Sequence, residues 1–206
     1  MPLVESSVVR LTLVSASPRR KELLLAAGYS FDVAPAHVTE IWSDRDPVKL
    51  AIHNAEKKVR ASDFFGNREK VLIGADTIIA FDDQVFGKPV GIESARRMLT
   101  TLSGRTHQVI TGICLSGPDP DSEDECTLVS SAAVSHVKFR VLSPVLLKEY
   151  LDSSEWKGKA GAYAIQGLGA KLVDKLTGDY ENVVGLPMTL LKDVIAQNFS
   201  HCILQP

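Results

Sequence analysis

The segment from Arg10 to Gly28 constrains the fold most, because it has the order of a strand, a tight turn and a helix. Its first part is an apolar run typical of a buried strand. The turn is made of small residues and ends on Ser17 and Pro18, a favourable pair for starting a helix. An apolar stripe continues to Gly28, which is placed to terminate the helix. We therefore expect a buried strand that leads directly into a helix.

Arg19 and Arg20 fall in the first turn of this helix, where the dipole disfavours cations by about 0.3 to 1 kcal/mol each. A bound anion would remove the conflict, because backbone N–H groups, the dipole and two guanidinium groups would all face it. The alternative is that both side chains bend away into solvent. The residues alone leave both interpretations open.

The composition is that of an ordinary globular protein, with 206 residues, 45% hydrophobic and 23% charged. We expect a single domain over residues 1–206. The net charge of −2 argues against general nucleic-acid binding, although it allows a local basic pocket. We find no apolar run of 18 residues and no secretory signal. We therefore expect no membrane partner and a cytoplasmic location.

The cysteines and histidines lack the spacing of a zinc site. The three cysteines lack CxxC spacing, and the five histidines are scattered along the chain. A zinc site is therefore not expected. Any metal would be a hard cation held by carboxylates and phosphate.

A second informative segment runs from Val71 to Phe81 and is apolar throughout except for Asp76 near its middle. Aspartate is depleted from strands and is rarely buried without a partner. One interpretation is a salt-bridged structural carboxylate. We favour a functional one, because Gly74 and Ala75 leave room for a ligand.

Three other polar residues carry less information by themselves. Lys57 lies near the end of a helix predicted to begin at Asp46, where a solvent-exposed lysine is the simplest interpretation. Lys88 lies in a rigid turn and could close over a phosphate, although the turn is not a P-loop. Gln166 lies in a glycine-rich segment, where its amide could read a pyrimidine edge by donating and accepting together.

The remaining elements alternate irregularly between helix and strand, and an acidic run at 117–125 predicts a solvated hairpin loop. This pattern predicts a mixed α/β fold. We expect an elongated twisted sheet flanked by helices, with a central cleft between two lobes.

Five motifs occur together: SASPRR at 15–20, GADT at 74–77, LSGRTH at 102–107, AYAIQGLG at 162–169 and VGLP at 184–187. In order and spacing they resemble the Maf family of nucleotide pyrophosphatases over nearly the whole chain. The resemblance implies a fold like that of the inosine-triphosphate pyrophosphatases. It implies hydrolysis of a nucleoside triphosphate to the monophosphate and pyrophosphate. It also implies a divalent cation, Mg²⁺ first with Mn²⁺ or Co²⁺ as alternatives, and a cytosolic homodimer.

The resemblance also implies roles for individual residues. The family's active-site carboxylate matches Asp76, and other cleft residues match Ser15, Glu40, Lys57 and Lys88. Glu40 and Asp76 are the expected metal ligands. Asp76 would orient and deprotonate the water that attacks the α-phosphorus. The expected substrate-binding residues are Ser15, Arg19, Arg20, Lys57, Thr77, Lys88 and Gln166.

Three positions separate a family branch that acts on dTTP and UTP from one that acts on 7-methyl-GTP. They are Arg19, Thr77 and Gln166 here, whereas the 7-methyl-GTP branch has tryptophan, glutamine and glutamate. All three are similar to the dTTP/UTP branch, so we expect dTTP, UTP and modified pyrimidine nucleotides as substrates. The alternatives are a 7-methyl-GTP pyrophosphatase and a non-catalytic nucleotide-binding regulator of cell division.

Overall fold

A computed structural model describes residues 9–41 and 46–203 of the chain. Its centre is a seven-stranded mixed sheet in the order β2-β1-β3-β5-β6-β7, with β4 paired to β3. The strands are β1 Arg10–Leu13, β2 Phe31–Val33, β3 Lys70–Phe81, β4 Gln84–Phe86, β5 Thr106–Pro118, β6 Cys126–Phe139 and β7 Val173–Thr177. The helices are α1 Pro18–Ala26, α2 Pro47–Arg60, α3 Ile92–Leu102, α4 Pro144–Asp152, α5 Tyr180–Val184 and α6 Met188–Asn198. The predicted mixed α/β fold is confirmed.

The first strand and helix form as the sequence predicts. β1 is parallel to both β2 and β3, and the chain passes from Leu13 through a short turn into α1. Pro18 occupies the first position of α1. Gly28 follows the helix with φ +83°, in the left-handed region that favours glycine. The turn between β1 and α1 is thereby held at the carboxyl end of a parallel strand.

The long strands β3, β5 and β6 form an antiparallel meander. β5 and β6 make a hairpin whose tip is the acidic loop at 119–125, as predicted. On one flank of the sheet, α1 and α6 enclose one apolar cluster, which includes Leu13, Leu24 and Phe199. A second cluster lies around α3 and α4. The two clusters are the cores of the two predicted lobes.

α2 packs unusually close to the sheet, because two glycines face it. A Cβ atom on Gly112 of β5 would lie 2.4 Å from the backbone of Ala51. A Cβ atom on Gly74 of β3 would lie 2.5 Å from a Val59 methyl group and 2.7 Å from the carbonyl oxygen of Ala55. Asp76 lies opposite Gly112 in the β3–β5 register, so the closest approach of α2 occurs beside this aspartate.

A gap in strand pairing runs along one edge of β3. β1 pairs with β3 only as far as Ile73, and β4 pairs with it only from Ile79 onward. Within the described ranges, no strand covers this edge between those two points. Asp76 and Thr77 lie in the gap, on opposite faces of the strand because side chains alternate. The gap is where the lobes separate.

The short helix α5 lies where the sequence pattern predicts only a turn at 177–179 before the last helix. Within residues 9–41 and 46–203, no helix has the length and apolar character needed to cross a membrane.

Candidate active site

A cavity of about 720 Å³ opens at the gap beside β3. The turn at 15–18, the connection at 35–40, the segment 158–160 and the end of α5 all contribute to its wall. Leaving His37 aside, the charged residues in the described lining are Arg19, Arg20, Glu40, Lys58, Asp76, Lys88 and Lys159. These five cations and two carboxylates leave an excess of three positive charges in a chain of net charge −2. The cavity is therefore suited to a polyanion.

Asp76 lies at the floor of this cavity with 4% of its surface exposed. Its Oδ1 accepts a hydrogen bond from Lys58 Nζ at 2.5 Å, and its Oδ2 accepts one from Asn54 Nδ2 at 3.2 Å. Both donors belong to α2, one helical turn apart. The close packing of α2 on Gly74 and Gly112 is what brings them within reach.

Lys58 joins the two carboxylates of the cavity. Besides Asp76, its Nζ donates to Glu40 Oε1 at 3.1 Å and to the carbonyl oxygen of Ala75 at 3.4 Å. Lys88 Nζ reaches the same Glu40 oxygen at 3.3 Å from a largely exposed position. Burial raises the pKa of Glu40, but the charges and hydrogen bonds of Lys58 and Lys88 outweigh it and bring this pKa below its ordinary value. Glu40 is therefore held as a carboxylate beside Asp76.

The structure places Lys58, and not Lys57, in the cavity. Lys57 Nζ donates to the carbonyl oxygen of Thr39 at 2.8 Å in an exposed position, and Lys57 is absent from the described lining. Adjacent helical residues point about 100° apart, so only one of two neighbouring lysines can face the sheet. The signal that could have found Lys58 is its four-residue spacing from Asn54 on the sheet-facing side of α2.

Arg20 borders the cavity, but its nitrogens are bonded to protein groups. Nε donates to the carbonyl oxygen of Gly185 at 2.7 Å, and Nη1 donates to Ser15 Oγ at 3.0 Å and to the carbonyl oxygen of Ala75 at 2.9 Å. Nη2 donates to Thr77 Oγ1 at 3.1 Å. Burial lowers the pKa of Arg20, an effect that the charge of Asp76 opposes. The guanidinium thus ties the β1–α1 turn to β3 and to the end of α5.

Arg19 is the arginine that stays available to a ligand. It is partly buried at the cavity wall, and its side chain makes no hydrogen bond or ion pair within the described ranges. Burial lowers its pKa, partly opposed by Tyr150 and Glu22. Lys159 lines the same cavity, and burial followed by the charge of Arg19 lowers its pKa, with Glu155 opposing. Two partly buried cations on one wall are stabilised by an anion between them.

The face of β3 opposite Asp76 offers a different surface. Thr77 Oγ1 accepts from Arg20 and lies 3.0 Å from Thr111 Oγ1. Beside Thr77 the cavity is lined by apolar side chains: Ile79, Val109, Tyr163, Val183 and Val184. Such a surface fits the flat, largely apolar faces of a nucleobase.

The sequence-predicted residues thus divide into two groups. The cavity brings together Ser15, Arg19, Arg20, Glu40, Asp76, Thr77 and Lys88. It does not include Lys57 or Gln166 in its described lining. Gln166 is exposed in the loop that leads to a short 3₁₀ turn at Gly167–Leu172. The proposed role of Gln166 in reading a base stays a prediction.

The carboxylate pair also bears on metal binding. Within the described ranges, no group of three or more histidine, cysteine, aspartate or glutamate side chains converges. Mg²⁺ is bound in many phosphate-handling sites by only one or two carboxylates together with substrate phosphates and water. Glu40 and Asp76, both paired with Lys58, are two carboxylates of the kind that would hold such a cation together with phosphate oxygens and water.

The fold and the cavity define the class: an α/β protein with a cationic cleft and a carboxylate pair, built to handle a phosphorylated ligand. The model of the family described as "Maf-like protein" matches residues 10–198, so the chain belongs to the Maf family.

Several relatives resemble this chain over most of their length. It is 41% identical over 192 residues to a dTTP/UTP pyrophosphatase of Clostridioides difficile, covering 93% of this chain and 96% of that protein. It is 40% identical over 188 residues to a dTTP/UTP pyrophosphatase of Pyrococcus furiosus, covering 90% and 94%. It is 42% identical over 190 residues to a dTTP/UTP pyrophosphatase of Gloeobacter violaceus, covering 92% and 96%.

Proposed function

We propose that this chain hydrolyses nucleoside triphosphates, dTTP and UTP first among them, to the monophosphate and pyrophosphate. The observation that carries the proposal is the carboxylate pair of Asp76 and Glu40, held on Lys58 at the floor of a cavity rich in cations. Family membership and the shared name of the relatives support the same reaction.

The triphosphate would bind along the first turn of α1. The helix N-terminus, Arg19 and Lys159 supply positive charge on one wall, and Lys88 supplies it on the other. Ser15 Oγ accepts from Arg20 Nη1 and from the backbone N–H of Ser17, so these two bonds hold the shape of the turn. The base would lie against the apolar surface beside Thr77. This arrangement lays the nucleotide across the gap, with its α-phosphate near Asp76.

Asp76 would orient a water molecule and take its proton as the water oxygen bonds to the α-phosphorus. The bond from this phosphorus to the bridging oxygen breaks, and pyrophosphate leaves. The cations of the cavity stabilise the negative charge that develops on the leaving group. The protein therefore contributes position and charge, and the mechanism needs no covalent intermediate.

A divalent cation fits the donor set of this cavity. Glu40 and Asp76 would hold it, with Mg²⁺ preferred and Mn²⁺ or Co²⁺ as alternatives. When bound, it would neutralise phosphate charge and polarise the phosphoryl oxygens. Lys58, which is paired with both carboxylates, would balance part of their negative charge beside the cation.

A nucleotide panel tests the proposed reaction. The purified chain with Mg²⁺ is incubated with dTTP, UTP, modified pyrimidine triphosphates, the other common triphosphates and 7-methyl-GTP, and the products are separated by ion-exchange chromatography. We expect monophosphate and pyrophosphate in equal amounts, fastest from dTTP and UTP. Release of orthophosphate alone contradicts the α-phosphate attack, and binding without turnover supports a regulator. Preference for 7-methyl-GTP assigns the chain to the other branch.

We further propose that the active form is a cytoplasmic homodimer, as the family resemblance implies. Size-exclusion chromatography with light scattering tests the assembly, and a single-chain mass would contradict it.

A further inference from the structure

Asn54 lies between the two parts of the site and is completely buried, with 0% of its surface exposed. Its Oδ1 accepts from the backbone N–H of Ile41 at 2.8 Å. Its Nδ2 donates to the carbonyl oxygen of Ile41 at 3.2 Å and to Asp76 Oδ2 at 3.2 Å. Both hydrogens of the amide and its oxygen are therefore used.

The backbone of Ile41 decides which end of the amide faces Asp76. A rotated amide would set its NH₂ group against the N–H of Ile41 and its oxygen against the Asp76 carboxylate, and both contacts are unfavourable. Ile41 directly follows Glu40, so the same two bonds also tie down the connection that carries the second carboxylate. The Asn54 side chain thus links Glu40, in the connection between β2 and α2, with Asp76 in β3.

The two oxygens of Asp76 have donors of different kinds. Oδ2 is bonded to a short, buried amide whose orientation is fixed. Oδ1 is bonded to Lys58 Nζ, at the end of a long side chain that also contacts Glu40. A flexible lysine can exchange partners when a ligand binds, whereas the amide of Asn54 has no other position open to it.

We propose that Asn54 is a positioning residue: it anchors Asp76 through Oδ2, leaves Oδ1 as the oxygen that acts, and docks the Glu40 connection in register with it. The inference rests on the proposed function, because it assigns the two oxygens of Asp76 to separate tasks in that reaction. A purely structural asparagine would stabilise the fold without affecting turnover per folded molecule.

Two variants separate these roles. Asn54→Leu keeps a similar volume and removes all three hydrogen bonds. Asn54→Asp keeps an acceptor for the N–H of Ile41 but sets an oxygen against Asp76 Oδ2. The control is Ile195→Val, a substitution at a fully buried position of α6 in the apolar cluster that α1 and α6 enclose. For each protein we would measure kcat and KM for dTTP below the unfolding temperature, and hydrogen exchange at the Ile41 amide without nucleotide.

In Asn54→Leu we expect fast exchange at Ile41 and a kcat lower by about 100-fold, with KM within about threefold of wild type. In Asn54→Asp we expect exchange at Ile41 to stay slow, while kcat falls by the same factor as in Asn54→Leu. Ile195→Val should retain the wild-type kcat and the slow exchange at Ile41. If Asn54→Leu does not fold, Asn54→Asp decides.

The proposal is overturned if kcat in the folded variants equals that of wild type, or if exchange at Ile41 in Asn54→Leu stays slow. Absence of pyrophosphate release from the wild-type chain would contradict the proposed function instead. The exchange measurement reports on the Asn54–Ile41 link in either case.

Discussion

Lys58 Nζ and Asp76 Oδ1 lie 2.5 Å apart where α2 crosses β3, and the same ammonium holds Glu40 at 3.1 Å. Both side chains are mostly buried: 12% of the surface of the Lys58 side chain and 5% of that of the Asp76 side chain are exposed. Removing one partner of a buried ion pair leaves an uncompensated charge, which is strongly unfavourable. Lys58 therefore allows two carboxylates to converge in the cavity before any ligand arrives.

Substitution of the two adjacent lysines should give unequal effects. We expect Lys58→Met to lower kcat/KM by about 100-fold or more, because it removes a cation from the polyphosphate site and leaves Asp76 and Glu40 in repulsion. Lys57→Met should cause a loss of less than about threefold, since this lysine lies outside the described cavity lining and its ammonium is bonded to a backbone carbonyl oxygen. Steady-state kinetics with dTTP measure both. A larger loss from Lys57→Met would contradict this assignment and would support Lys57, the lysine expected from the sequence, as the substrate-binding residue.

Close packing of α2 on the sheet should be needed for both stability and turnover. We expect Gly112→Ala to destabilise the fold by about 1–3 kcal/mol, because its Cβ would overlap the backbone of Ala51. Turnover should fall too, since α2 carries Asn54 and Lys58. Gly91→Ala is the control, because that Cβ meets nothing within 4 Å and φ is 178°. Thermal unfolding measures the change in stability, and steady-state kinetics measure kcat. Equal stability and equal kcat in Gly112→Ala and Gly91→Ala would contradict the packing argument.

The stability of the fold should decrease at acid pH through His107. Burial lowers the pKa of this histidine to about 4, from an ordinary value of 6.5. Its neutral form is favoured in the folded state, so the contribution is complete above pH 6.5 and is lost as the pH falls towards 4. The loss can reach about 3 kcal/mol.

His107→Phe should weaken this pH dependence, because phenylalanine can replace the ring beside Phe139 and Tyr163 without titrating. Denaturant unfolding between pH 7 and pH 4 measures the slope for both proteins. Identical slopes would show that His107 does not contribute.

The choice between nucleobases tests the role that the sequence assigns to Gln166. We expect Gln166→Glu to reduce kcat/KM for dTTP and UTP by about tenfold, the effect of one lost hydrogen bond, because a carboxylate cannot replace the amide donor. The ratio to 7-methyl-GTP in the nucleotide panel is the readout. Gln166 is exposed outside the described cavity lining, so an unchanged ranking would leave base recognition to Arg19 and Thr77.

Local signals in the sequence predicted much of the fold. Pro18 begins α1, and Asp46 caps α2 by accepting from Val48 N and Lys49 N, as the two cap-and-proline patterns indicate. A continuous apolar run predicted β3, and it also made Asp76 conspicuous. α5 was missed, because a five-residue helix carries too short a pattern to be distinguished from a turn.

The site was less predictable, because its contacts join distant parts of the chain. Asn54 bonds to residues 13 and 22 positions away, so no local pattern reveals its role. The choice between Lys57 and Lys58 depends on which side of α2 faces the sheet, which Gly74 and Gly112 determine. Arg20 was expected at a phosphate, yet its partners lie on β3 and after α5.

The most direct test of the account is the Asp76→Asn variant, assayed for both catalysis and binding. We expect pyrophosphate release from dTTP to fall by about 100-fold or more, because an amide cannot accept the proton of the attacking water. The dissociation constant for dTTP, measured by calorimetry, should stay within about threefold of wild type, since the cations that hold the phosphates are unchanged. Pyrophosphate release at a rate close to that of wild type would contradict the assignment of the chemistry to Asp76.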